Sequence, residues 1–218
     1  MKLVFLSPTS ITVELVNESP YFSPNPFDVY LNNVKVLSDV KTNVFSLFHL
    51  QENTDYHLRV EDKELQFKTL DYSEFLDVEI FGIIGDGKTD NTKQIQMMLN
   101  QAKKNSYIYF PKGTYLTGPI FLRSDLTIEL EEGATILGKT DRNEYPILKD
   151  RITKEDGTIL ELSSWEGTPA PTFASIFTGI EVKNVKIIGL GVVDCNAQNS
   201  DWWVNHKEMR GGAWRPKG

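Results

Sequence analysis

The chain has 218 residues, 40% hydrophobic and 24% charged, the proportions of a globular protein long enough for one large domain or two small ones. Its net charge of −7, with no Lys/Arg-rich run, argues against a nucleic-acid partner, and any polyanionic ligand would need basic groups gathered locally. One cysteine excludes an internal disulfide, no apolar run approaches the ~20 residues of a membrane span, and the apolar run Leu3–Leu6 is too short for a secretory signal, so a cytoplasmic location is expected.

Residues 1–71 read as short strands separated by Ser-Pro, Asn-Pro and Asn-Asn turns: Lys2–Phe5, Ile11–Leu15, Phe27–Leu31, Val34–Leu37, Val44–Leu50, Tyr56–Val60 and Leu65–Thr69. That spacing predicts a β-sandwich. "LQENTDYHLRV" sets Leu50 and Thr54 ahead of Tyr56 and resembles the tyrosine corner of fibronectin type III domains, which act as spacers or docking surfaces. "DYSEFLD" (71–77) reads as a polar connection to a second domain over 77–218.

Next comes "GIIGDGKT" (82–89), which fits the phosphate-binding spacing G-x-x-x-x-G-K-[ST]. A strand at Val78–Phe81 precedes it. A helix follows, with Ile95, Met98, Leu99 and Ala102 on one face, Asp90 or Asn91 to cap it, and Lys103 and Lys104 at its negative end. Context speaks against a nucleotide. Further polar residues separate the lysine from the helix, Asp86 and Asp90 would repel a triphosphate, and no second amphipathic helix supplies the crossovers of a nucleotide fold. Tyr107–Phe110, Ile120–Leu122, Leu126–Leu130 and Thr135–Leu137 read as strands. "SDLTIELEEGATILG" (124–138) is echoed by "KNVKIIGLGVVDCNA" (183–197). Repetition without Asn-Gly hairpin turns predicts coils of a right-handed parallel β-helix, its open end covered by the helix. The expected fold class is mainly β. Asp194 is expected to fix a turn, and Cys195, after an apolar run, to be buried.

"FGIIGDGKTDNTKQIQ", "FPKGTYLTGPIFLRSDLTIELEEGATILG" and "SSWEGTPAPTFASIFTGIEVKNVKIIGLGVVDCNAQNSDWW" together resemble the opening of polygalacturonases, glycoside hydrolase family 28, from Phe81 to Trp203. Two departures stand out. Ser164 replaces a common arginine, and Cys195-Asn196-Ala197 replaces a Gly-x-Gly turn.

The resemblance implies inverting hydrolysis of α-1,4-galacturonosyl linkages by carboxylates roughly 6.5–9.5 Å apart, without a metal or other cofactor. Those carboxylates would come from Asn-Thr-Asp and Asp-Asp motifs, followed by Gly-His-Gly and Arg-Ile-Lys. None occurs in the second domain, and Asn53-Thr54-Asp55 reads as sandwich turn chemistry. The expectation is therefore the first coils of such an enzyme, inactive alone, with the remaining coils as a possible partner chain. No catalytic residue is assigned. Trp165, Glu166, Trp202, Trp203, His206 and Arg210 are the candidate contacts to an oligo- or polygalacturonate, through ring stacking and carboxylate pairing. The competing reading is a non-catalytic carbohydrate-binding or adhesive β-helix protein.

Overall fold

The computed structural model describes residues 1–165 and 167–200. By its internal contacts the chain divides into two compact units, Met1–Ser73 and a second beginning at Glu74.

In the first unit seven antiparallel strands form two sheets: β1 (Lys2–Leu6), β2 (Ile11–Glu14), β3 (Phe22–Leu31), β4 (Val34–Thr42), β5 (Val44–Leu47), β6 (Asp55–Val60) and β7 (Lys63–Lys68). One sheet runs β1-β2-β5 and the other β4-β3-β6-β7. Alternation along the strands turns Ile11, Val13, Val29, Leu58 and Val60 fully inward. At the β5–β6 corner the Gln51 amide donates to the Tyr56 hydroxyl at 2.9 Å, and the Tyr56 ring stacks on Phe67. Asn53-Thr54-Asp55 is turn chemistry. Asn53 takes a φ of 50°, its amide donates to Leu70 O, and the Thr54 hydroxyl donates to Glu52 O.

The second unit coils. Its elements are β8 (Glu74–Asp77), β9 (Asp86–Asp90), α1 (Thr92–Gln101), β10 (Ser106–Phe110), β11 (Gly113–Thr117), β12 (Ile120–Phe121), β13 (Leu126–Leu130) and β14 (Ala134–Gly138). An insertion follows, holding β15 (Ile147–Leu148), β16 (Arg151–Thr153), β17 (Ile159–Glu161), β18 (Ser164–Trp165), β19 (Thr168–Pro169) and β20 (Thr172–Phe173). The coils then resume with β21 (Phe177–Thr178), β22 (Val185–Gly189) and β23 (Val192–Asp194). Three parallel sheets result: β8-β10-β13-β22, β9-β11-β14-β23 and β12-β21. Side chains stack in columns through the interior: Leu76, Ile108, Ile128 and Ile187 in one, Tyr115, Ile136 and Val193 in another, Ile120 and Phe177 in a third. This is the parallel β-helix that the repeat predicts.

The first coil departs from expectation at its start. Glu74–Asp77, in the stretch read as a connection, is the strand, and Val78–Phe81 is a short 3₁₀ turn capped by Asp77. Only Leu76 of that strand joins the core, so its sequence looks polar. In this coil α1 takes the place of the third strand. Ile95, Met98, Leu99 and Ala102 are all buried, and the Gln96 carboxamide bonds both backbone groups of Phe121 in β12. The last carbonyls of α1, on Leu99 and Asn100, are met by Arg123. Lys103 and Lys104 instead pair with Glu74 and Asp125.

The echoed passages lie in adjacent coils, but not at a constant offset. Leu126 faces Val185 whereas Thr135 faces Val192, because Leu190-Gly191 turns more tightly than its counterpart Glu131–Gly133. A Cβ on Gly189 (φ 107°) would lie 2.1 Å from Leu130 O, so only glycine fits. Among the described residues β22 and β23 are edge strands, and on this last coil Ile187, Leu190, Val192 and Val193 are 42–54% exposed.

Candidate functional site

The glycine loop is the first candidate to settle. Asp86 accepts from the Lys88 amide, the Thr89 amide and the Thr89 hydroxyl, each at 2.8 Å. The Thr89 and Lys88 amides hold its carboxyl below the ordinary range. Asp86–Asp90 is itself strand β9, laid parallel to β11, so the lysine and threonine do not open a helix. Where α1 does begin, Asp90 accepts from the Thr92 amide at 3.0 Å and from Lys139 Nζ at 2.8 Å. Burial pushes the Asp90 carboxyl up, but the Lys139 and Thr92 hydrogen bonds outweigh it and hold the group at about 2. Of the two possible caps, Asp90 therefore serves. Asn91 turns inward, fully buried, bonding both backbone groups of Ile84 and the carbonyl of Thr89. Amides that a phosphate would need are held by carboxylates, and the loop is a structural staple.

The insertion between β14 and β21 leaves the stack where the second sheet hands over to the third. Irregular segments on a rigid stack are where binding residues concentrate. Trp165 lies in β18, its backbone paired with Thr168. Its side chain, and all of Glu166, Trp202, Trp203, His206 and Arg210, lie outside the described residues.

What the insertion builds was not legible beforehand. Asp156-Gly157 closes a hairpin between β16 and β17: Gly157 takes a φ of 81° and donates to Lys154 O, while Asp156 accepts from the Thr158 amide. This Asp-Gly pair was the available signal, and the expectation of stacked coils passed over it. The hairpin tip is tied to the β21–β22 turn by an ion pair between Lys154 and Glu181. Between insertion and turn lies a cavity of about 380 Å³, with apolar walls from Leu148, Leu160, Leu162, Phe173, Phe177 and Ile180. Glu161, Glu181, Thr172, Ser175 and Thr178 supply its polar groups.

At the last coil Asp194 fixes a turn, accepting from the Asn196 amide at 2.7 Å, while buried Asn196 donates to Gly138 O across the coils. Cys195 is exposed, contrary to expectation, because the inward positions of this turn go to its two polar neighbours. Among the described residues no group of three or more His, Cys, Asp or Glu is arranged to hold a metal ion.

Residues 75–209 match the family described as rhamnogalacturonase A/epimerase, pectate lyase-like. That span takes in the coil strands from Phe75 of β8 through β23 and the insertion between β14 and β21. The chain belongs to this pectate lyase-like family. Within it the polygalacturonase type is supported by an exo-poly-α-D-galacturonosidase of Dickeya chrysanthemi, 30% identical over 56% of this chain and 19% of that one. The plasmin and fibronectin-binding protein A of Streptococcus pneumoniae is 32% identical over 52% of this chain and 17% of its own length. This chain thus spans about a fifth of those relatives. The family 28 exopolygalacturonase of Yersinia enterocolitica shares the fold, with a TM-score of 0.61 and 22% identity over 89% of this chain and 41% of that one.

Proposed function

We propose that this pectate lyase-like chain forms the N-terminal part of a polygalacturonase-type glycosidase that hydrolyses α-1,4-galacturonosyl linkages by inversion. The observation that carries this reading is the parallel stack of β8–β14 and β21–β23 in a chain 30% identical, over 56% of its length, to a galacturonosidase. In an inverting reaction one carboxylic acid protonates the leaving oxygen while opposed carboxylates activate water. None of the family's acidic motifs is present in the second unit, so the 218 residues alone are inactive and further coils supply the chemistry. The exposed apolar edge at Ile187, Val192 and Val193 suits the addition of such coils. The first unit reads as a fibronectin type III-like spacer, in keeping with its sheet order and the Tyr56 corner.

Two measurements on the purified chain test this. Reducing-sugar release from polygalacturonate is expected to be nil, and release free of contaminating enzyme would overturn the claim of inactivity. Oligogalacturonides are expected to bind, detected by calorimetry or by chemical-shift changes. The Streptococcus relative favours a second reading, adhesion through the β-helix surface. Binding of plasmin or fibronectin without any binding of pectic oligosaccharides would establish that reading instead.

A further inference from the structure

The β16–β17 hairpin is fastened at its base and at its tip, and hardly at all between. From residue 149 to 162 no side chain is buried, and Ile152 and Ile159 are 39% and 55% exposed. Its two strands pair only with each other. At the base, Leu162 N donates to Asp150 O, and Arg151 pairs with Asp150 within the arm. The insertion is anchored on either side, where β15 pairs with β20 and where Tyr145 and Ala170 are buried. A lone two-stranded hairpin is marginal in water, and segments with few buried contacts open long before the core does.

One polar tie joins this arm to the coils. It is the ion pair between Lys154, just after β16, and Glu181, in the turn before β22. Among the described residues no other hydrogen bond or ion pair links 149–162 to the coil stack. The arm lends Leu160 and Leu162 to the lining of the cavity, and the coils lend Phe177 and Ile180. The pair therefore holds together two sides of one depression.

We propose that the β16–β17 hairpin is a strap over this depression, latched at its tip by Lys154 and Glu181. Releasing the latch swings the arm about its base and opens the space beneath. With side chains 33% and 53% exposed, the pair favours the closed arrangement only about two- to fivefold. Anything that competes for either charge then shifts the balance between closed and open forms.

Nitroxide labels read the arm's position in the full chain by pulsed electron resonance. Exposed Glu155→Cys on the hairpin turn and exposed Glu132→Cys on the β13–β14 turn carry them, with Cys195→Ser removing the native thiol. The parent in dilute buffer is expected to show one dominant distance. Glu181→Gln, Lys154→Gln and about 0.5 M salt on the parent should each raise a second population about two- to fivefold. Broadening of Phe177 and Ile180 resonances by a soluble gadolinium chelate should rise in step. The exchanged pair, Lys154→Glu with Glu181→Lys, should restore the parent's distribution, which general loosening of the fold would not. Distances unmoved by the single variants and by salt would overturn the proposal. An exchanged pair that behaves like the single variants, or arm movement without greater access to Phe177, would overturn it too.

Discussion

The side-chain amide of Gln96 makes to Phe121 the pair of hydrogen bonds that a neighbouring strand would make: Nε2 donates to Phe121 O at 2.9 Å, and Oε1 accepts from Phe121 N at 2.7 Å. A helical residue thereby closes the edge of β12. An unpaired edge recruits other strands, so the closure acts against association. Gln96→Leu keeps the helix but removes both bonds. It is expected to cost about 1–2 kcal/mol in denaturant unfolding and to raise the associated fraction in light scattering, whereas an exposed neighbour such as Lys93→Leu should do neither.

Asp90 gives a pH dependence with a definite sign. Its folded value of about 2 lies below the ordinary 3.8, so its stabilisation is present above pH 3.8 and is lost as the pH falls through about 2. The carboxylate is half exposed, and solvent screening keeps the effect to about 1 kcal/mol or less. Thermal melts should place Asp90→Asn below the parent at neutral pH, with the gap closing near pH 2. A gap that stayed constant across the range would refute the assignment.

Buried Asn91 is both donor and acceptor to backbone, accepting from Ile84 N and donating to Ile84 O and Thr89 O. Replacement by alanine leaves those groups unsatisfied and is expected to cost about 2–4 kcal/mol. Asp, which cannot donate to the two carbonyls, should cost nearly as much. Hydrogen exchange at the Ile84 amide, protected in the parent, should accelerate in both variants.

Two glycines with positive φ separate local backbone strain from steric exclusion. Gly157 (φ 81°) has open space where a Cβ would stand, whereas Gly189 (φ 107°) has Leu130 O within 2.1 Å. Gly157→Ala is expected to cost about 1 kcal/mol. Gly189→Ala should cost at least about 3 kcal/mol because the tight turn into β23 must shift. Urea titration of the two variants reads the difference directly.

Much of this architecture shows in the sequence wherever burial is periodic. The stripe Ile95, Met98, Leu99 forms the inner face of α1 with Ala102 just after it, and the short stretches between turn residues in 1–71 mark all seven sandwich strands. Asp86–Asp90 was illegible because it has no apolar residue; parallel pairing to β11 makes it a strand. Gly113–Thr117 sends only Tyr115 into the main core, too sparse a pattern to register. The cavity was hidden for another reason: its lining comes from two- and three-residue strands and the turns between them, each too short for periodicity. The candidate contacts were read from residue type in irregular stretches of sequence, and their side chains lie outside the described residues.

The first coil treats its three sheets differently. Gln96 on α1 takes both backbone groups of Phe121, so β12 has nothing left on that side for another strand, whereas β8 and β9 are edge strands there just as β22 and β23 are on the last described coil. Each coil touches only its neighbours, so the stability of such a stack is set coil by coil and a weak coil is felt next door before it is felt at a distance.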